Sequence, residues 1–350
     1  MDAIDLGKMR FRAHASADVD ASRQRVRQWV EARELVGSRE ALEWYCAWDT
    51  ATFVGYSYPH AKAGDGMDLV GRLMAVAILL DDQIDESPSA AACIGAVHPF
   101  LEIVRSGGGL VPRQGRPLHH AFAELIRESR ARASDTWWRR AATNWEASLI
   151  AVVHETVNRK QRGGPPPHDL FLKLRRGSGF MGPFLDILEP AASFEPAALA
   201  YYSPHVLLMR QITVDLGNFI NDVFSVDKEL ARGQHDNLVL VLQAEAGMPL
   251  EEARRRAREM IHAHACRFVE LRAELPEVCA HLGLAASEVE DVVRYGDALE
   301  MWATGSEAWG RTSRRYLEAL EQRPVTGPWA PENLLGADDG KRLPASLDGT

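Results

Sequence analysis

The stretch LVGRLMAVAILLDDQIDE, residues 69–86, decides the reading of this chain. Its first twelve residues are uncharged except for Arg72. They are too short and interrupted for the ~18 apolar residues of a membrane span, so they read as a core helix. The character then reverses, with Asp81, Asp82, Asp85 and Glu86 falling within six residues. On a helix Asp81 and Asp85 lie four apart and Asp82 and Asp85 three apart, so their carboxylates share a face. Ser87-Pro88 ends the helix. Carboxylates in a last turn oppose the helix dipole and repel one another, each at a cost of a few tenths of a kcal/mol or more. A divalent cation reverses both penalties, and hard oxygen ligands suit Mg²⁺. A solvated acidic helix end is the plainer alternative for this stretch taken alone.

Outward from it the pattern is helical almost throughout, rich in Ala, Leu, Arg and Glu, with little period-two alternation. The periodicity predicts helices near 19–35, 38–53, 66–85, 90–105, 118–131, 135–160, 168–188, 204–231, 236–246, 249–271 and 286–320. Breakers at Ser106–Gly109, Pro112–Pro117, Gly163–Pro167 and Pro190 separate them. No connector is long enough for an interdomain linker, which leaves one all-α domain over 16–322. Residues 1–15 are expected to be a flexible segment, and the Pro-, Gly- and Asp-rich residues 323–350 a disordered tail. Of the 350 residues 46% are hydrophobic and 25% charged, an ordinary globular balance. The formal charge of −9 disfavours a nucleic-acid partner. Cys46, Cys93, Cys266 and Cys279 show no paired spacing and the first residues lack a signal-peptide core, so a reduced, cytosolic protein with no membrane span is expected.

A second stretch, NDVFSVDKE at 221–229, carries the other half of the chemistry. Asn221, Ser225 and Glu229 recur every four residues, laying an amide, a hydroxyl and a carboxylate along one helical stripe over ~12 Å. Such a set can chelate one Mg²⁺ and leave positions for water and phosphate oxygens. A polar helix face is the alternative for this stretch alone.

The two stretches, in this order and separation, resemble the metal motifs of class I terpene synthases, above all the bacterial single-domain type. The likeness runs from about Trp44 to Tyr316. It implies an α-helical barrel in which an aspartate-rich motif (Asp81, Asp82, Asp85) faces an Asn/Ser/Glu triad (Asn221, Ser225, Glu229). Together these would hold three Mg²⁺ ions that bind a diphosphate. The family's diphosphate-sensing Arg stands 46 residues before the triad Asn, and 221 − 46 = 175 is Arg175. Its linker and effector positions then fall on Ser178 and Gly179. Two glycines in RRGSG (175–179) cost about 1 kcal/mol each in a helix and are expected to break it, freeing carbonyls toward a ligand. Lys228 matches the basic residue that the family directs at the diphosphate. Arg315-Tyr316 matches its C-terminal pair, with Trp309 six residues before.

The resemblance implies ionisation of a linear prenyl diphosphate, by family frequency the fifteen-carbon farnesyl chain, followed by cyclisation and release of diphosphate. Arg175, Lys228, Arg315 and Tyr316 would serve the leaving group, and a dry apolar pocket the cation. Trp309, Phe53, Phe180 and Ile78 are the expected pocket residues. Ile78 and Leu80 stand where relatives often carry Phe, and Ser178 where Asp or Thr is frequent. Family habit also implies a homodimer. Ten- and twenty-carbon substrates are alternatives within the class. A chain-elongating prenyl diphosphate synthase is a rival that would need a second aspartate-rich motif where the triad stands. A catalytically silent helical protein that binds prenyl diphosphate is the non-enzyme rival. His262, His264 and Cys266 hint at a soft metal site but read better as helix surface.

Overall fold

Four serines set where helices begin: the side chains of Ser38, Ser89, Ser134 and Ser203 each accept from the backbone N–H three residues on. Each such cap contributes about 1 kcal/mol and fixes the first turn of its helix. The computed structural model describes residues 4–9, 11–85, 87, 89–113 and 115–317, and among them no strand occurs. The helices are α1 (Val19–Ala32), α2 (Arg39–Ala47), α3 (Thr50–Ser57), α4 (Asp65–Asp85), α5 (Ala90–Arg105) and α6 (Pro117–Ala131). They continue as α7 (Asp135–Arg162), α8 (His168–Ser178), α9 (Met181–Asp186), α10 (Leu188–Ala192) and α11 (Ala198–Tyr201). The last five are α12 (Pro204–Ala231), α13 (Leu238–Ala246), α14 (Leu250–His281), α15 (Ala286–Thr312) and α16 (Arg314–Leu317). Among the described residues no helix is long and apolar enough to cross a membrane.

Helix α4 is buried on nearly every side, as an all-round apolar sequence requires. It packs against α1, α3 and α6, while α15 lies on α3 and α12, and α12 on α14. Glycines let two of these axes close in. A Cβ on Gly305 would stand 2.5 Å from the Ser57 nitrogen and 2.7 Å from its Cα, backbone that cannot step aside. Gly305→Ala should therefore destabilise the α3–α15 contact by about 2 kcal/mol or more and lower Tm by about 3 °C or more, read by differential scanning calorimetry. An unchanged Tm would contradict this packing.

Behind α9, Asp186 gathers a buried polar cluster. Its carboxylate accepts from Arg210 (2.8 Å) and Asn144 (2.7 Å), and its backbone carbonyl from the Trp137 indole (2.9 Å). Arg140 pairs with the fully buried Glu189 and lies 4.0 Å over the Tyr201 ring. These bonds hold the short helices α9 and α10 in place.

Several expectations need correction. Residues 4–9 and 11–15 are not a loose segment: Ile4, Leu6 and Phe11 are buried, the Leu6 amide donates to Glu307 (2.9 Å), and Arg12 pairs with Glu300 and Asp297. The helix expected over 38–53 breaks at Asp49, whose φ is 51°. The one expected over 168–188 does break where its RRGSG glycines were expected to break it, after Ser178, with Phe180 held at φ 56°. Helix α14 runs ten residues past 271, through Pro276, because Leu275 seats against Gly296 of α15. The helix expected over 286–320 stops at Thr312, and Ser313 separates it from α16. The tail at 323–350 lies outside the described residues.

Candidate active site

Three stripes converge on one chamber. On α4 they are Met74, Ala77, Ile78 and Asp81, spaced three and four apart; on α12, Gly217 and Asn221; on α15, Trp302, Ser306 and Trp309. The α8–α9 break adds Gly179, Phe180, Met181 and Phe184, α3 adds Phe53, and α16 closes the mouth with Arg315 and Tyr316. The empty volume is about 740 Å³ with its open mouth included, within the roughly 300–1,000 Å³ of small-molecule sites. The four residues expected in an apolar pocket, Phe53, Ile78, Phe180 and Trp309, all line it.

At the mouth the two sequence motifs are joined by side chains. Arg315 grips Asp82 with both terminal nitrogens (2.9 and 3.1 Å) and reaches Asp81 at 3.5 Å, its guanidinium 4.8 Å over Trp48. The next residue, Tyr316, accepts from the Asn221 amide at 2.8 Å. Asn221 in turn accepts from Arg175 at 2.8 Å, and Arg175 also donates to Asp222 at 2.5 and 3.1 Å. Farther along the α12 stripe, the Asn237 amide donates to Glu229 (2.8 Å) and more weakly to Ser225 (3.5 Å). The same Asn237 caps α13 and bonds the Asp222 carbonyl (2.8 Å), so it fixes the triad from behind.

The electrostatics reflect this crowding. Burial alone would raise the Asp82 carboxyl, but Arg315, with Lys228 and Arg232 nearby, pulls it below the usual carboxylate range. Burial and Arg315 lower the Lys228 ammonium despite Glu229 and Asp82. Burial opposes the charge of Arg175, yet Asp222, Glu155 and Glu229 keep it more firmly protonated than a free guanidinium.

Ser178 is buried outside the chamber lining, near Glu155 of α7, whose carboxyl burial pushes up to about 8. Gly179 does line the chamber, and the amide of Asn218 occupies the place a Cβ would take. The expectation that freed carbonyls face a ligand fails at Arg175, whose carbonyl takes the Gly179 N–H (3.2 Å) and the Asn218 amide (3.1 Å). It fails equally at Gly177, which takes the Phe180 N–H (3.3 Å). Asp85 closes α4, and its side chain lies outside the described residues, as does Glu86. Leu80 is buried away from the chamber. Cys266 meets His262 at 3.7 Å, but no group of three or more metal-ligating side chains forms among the described residues by the ordinary His/Cys/Asp/Glu grouping.

Sequence reasoning missed Asp222, Trp48, Glu155 and the floor made by Trp302 and Gly217. A Cβ on Gly217 would sit 2.5 Å from the Trp302 ring, so this glycine is what lets the indole reach across. The donor set itself fits a hard divalent cation. Asp81 and Asn221 bring a carboxylate and an amide oxygen into the chamber lining, and Ser225 and Glu229 continue the α12 stripe outside it. The Arg315 guanidinium already supplies positive charge between Asp81 and Asp82.

Residues 72–266 match the family described as terpene synthase family 2, C-terminal metal binding. The chain is 33% identical to a 7-epi-alpha-eudesmol synthase ((2E,6E)-farnesyl diphosphate cyclizing) of Streptomyces viridochromogenes, over 91% of this chain and 94% of that one. It is 29% identical to a (−)-beta-caryophyllene synthase ((2E,6E)-farnesyl diphosphate cyclizing) of Saccharothrix espanaensis, over 96% and 94% of the two chains. Its fold is similar to the crystal structure of an a-eudesmol synthase, with a TM-score of 0.79, 30% identity, and coverage of 87% of this chain and 97% of that one.

Proposed function

Since the chain belongs to the bacterial class I terpene synthases, we propose that it binds farnesyl diphosphate with Mg²⁺, ionises the allylic C–O bond and cyclises the resulting cation, releasing diphosphate. The observation that carries this reading is the join across the mouth. Arg315 holds Asp81 and Asp82 while its neighbour Tyr316 is bonded to Asn221, which links the two motifs beside one apolar chamber that Asp81 and Asn221 line. The fifteen-carbon length is carried over from relatives whose names specify farnesyl diphosphate. Three ions and a homodimer are carried over from the family resemblance, and a cytosolic setting from the unpaired spacing of the four cysteines.

Asp81, Asp82, Asn221, Ser225 and Glu229 would hold the metal, with Asp85 as a further ligand at the end of α4. When bound, Mg²⁺ neutralises the negative charge that gathers on a departing diphosphate. The chain's own residues do the rest. Arg175 and Arg315 present planar forks matched to phosphate oxygens, Lys228 a point charge, and Tyr316 a hydroxyl. Three of them are held near the mouth by a partner: Asp222 for Arg175, Asp82 for Arg315 and Asn221 for Tyr316. Removing one such donor costs about 10²–10³ in rate where charge develops. Gly179, at the break beside Arg175, shapes the wall where the allylic carbon would lie, with Ser178 buried outside that lining.

Below the mouth the rings of Phe53, Phe180, Trp302 and Trp309 exclude bulk water and offer π-faces, worth about 0.5–2 kcal/mol to a cation. The indole N–H groups point their hydrogens elsewhere, that of Trp302 to the Tyr58 hydroxyl (2.9 Å) and that of Trp309 to the Trp48 carbonyl (2.7 Å). The purified protein with Mg²⁺ and farnesyl diphosphate is expected to release diphosphate and a fifteen-carbon hydrocarbon or alcohol, read by gas chromatography. Excess EDTA should suppress release by at least about 10²-fold. Silence with ten-, fifteen- and twenty-carbon diphosphates alike would overturn the reading.

A further inference from the structure

The chamber lining divides by height. The charged and amide side chains stand at the mouth with Tyr316, and below them one lining side chain among the described residues carries a hydroxyl, Ser306 of α15. The rest of the lower wall is aromatic, aliphatic, thioether or glycine. Ser306 lies one helical turn beyond Trp302 and just short of one turn before Trp309, so its oxygen is set between the two indoles that a cation would lean on. Other polar hydrogens at this level are committed to protein acceptors: the two indole N–H groups to Tyr58 and Trp48, and the Tyr58 hydroxyl to the Phe184 carbonyl at 2.8 Å. Ser306 is tied differently. It donates to the Trp302 carbonyl at 3.4 Å, a carbonyl that also accepts from the fully buried Ser57 hydroxyl at 3.3 Å. With Ser57 in place that acceptor stays satisfied when Ser306 turns inward, so the turn strands no buried carbonyl.

We propose that Ser306, the hydroxyl between Trp302 and Trp309 in the apolar wall, holds a water molecule that ends the cation cascade, making the principal product an alcohol. The proposal rests on the terpene synthase reading above and refines its product class. A lone pair on the water oxygen forms the new C–O bond to the cationic carbon. The oxonium so formed loses one proton, which passes by way of the Ser306 hydroxyl to an oxygen of the released diphosphate. One water is consumed for each alcohol, and nothing is oxidised or reduced. Buried waters typically make about three hydrogen bonds. A water held by Ser306 alone and flanked by ring faces falls short of that number, so it is loosely held and keeps a lone pair available for attack.

The test uses the full-length protein with Mg²⁺ and farnesyl diphosphate in ¹⁸O-water, with products analysed by gas chromatography–mass spectrometry and diphosphate counted separately. The wild type should give mainly an alcohol carrying ¹⁸O. In both Ser306→Ala and the near-isosteric Ser306→Cys, the alcohol formed per diphosphate released should fall at least tenfold, with hydrocarbon rising in its place. An unchanged alcohol fraction in either folded variant, a wild type giving hydrocarbon alone, or an alcohol without ¹⁸O would overturn the proposal while leaving the terpene synthase reading intact. A folded variant that releases no diphosphate would also overturn it, because the hydroxyl is assigned a role after ionisation. Absence of diphosphate release from the wild type would instead sink the underlying reading.

Discussion

Asn221→Ala is expected to lower kcat with farnesyl diphosphate by at least about 10³-fold while leaving the helical circular dichroism spectrum as it is. The size of the effect comes from what this one amide joins. Its oxygen is the first donor of the α12 stripe and accepts from Arg175 at 2.8 Å, while its nitrogen donates to Tyr316 at 2.8 Å. Alanine therefore removes a metal ligand and also unties two diphosphate donors from each other. A tenfold rate change is about 1.4 kcal/mol, so about 4 kcal/mol of lost transition-state stabilisation is enough. Folding should suffer far less. Two lost hydrogen bonds at a partly exposed site cost roughly 1 kcal/mol each, and Tyr316 stays packed against Trp309, with ring centroids 5.3 Å apart. Asn221→Asp keeps an oxygen ligand but loses the donor to Tyr316, and should fall between alanine and wild type. Wild-type turnover in the alanine variant would show that the stripe is only a polar helix face.

The second large effect separates two adjacent arginines. Arg175→Lys should reduce kcat by at least about 10²-fold, whereas Arg176→Lys should change it less than about threefold and register mainly in Tm. Successive residues on a helix point about 100° apart, and the structure sends these two to different places. Arg175 turns to the chamber mouth, where it meets Asn221 and Asp222. Arg176 turns away to a two-pronged pair with Asp215 at 2.7 and 2.8 Å, with His264 at 3.6 Å on the same carboxylate. Lysine is the informative replacement, because it keeps a positive charge beside the buried Asp222 and removes only the planar fork. Steady-state kinetics on both variants, beside their melting curves, gives the comparison. Equal losses of kcat would remove the assignment of Arg175 to the diphosphate.

The parts of this molecule that are legible in sequence are those written in local spacing. Helix α12 is readable end to end because its Ser203 cap, its apolar period and its Asn221–Ser225–Glu229 stripe are all expressed within 28 residues. The acidic end of α4 and the glycine break after Ser178 are readable for the same reason. The illegible parts depend on partners far apart in the chain. Leu6 and Phe11 are isolated apolar residues with no period, and nothing local announces that Glu307 and Glu300 receive the strap that carries them. Pro276 is a stop signal on its own, and only the notch at Gly296 explains why α14 runs through it. Asp222, next to a triad member, points a third of a turn away from the triad, so its role as the anchor of Arg175 emerges only when α8 is laid beside α12. The pairing of Gly217 with Trp302, which forms the chamber floor, spans 85 residues (302 − 217) and leaves no trace in either neighbourhood.

Crystals of the full-length protein grown with Mn²⁺ and inorganic diphosphate, measured at the manganese edge, test the shared metal mouth most directly. Anomalous peaks are expected within coordination distance of Asn221, Ser225 and Glu229 and of Asp81 or Asp82, with one diphosphate between the two sets. Arg315 should have turned from Asp82 toward that diphosphate. Peaks remote from either set, or a diphosphate bound elsewhere while Arg315 still clasps Asp82, would contradict the account.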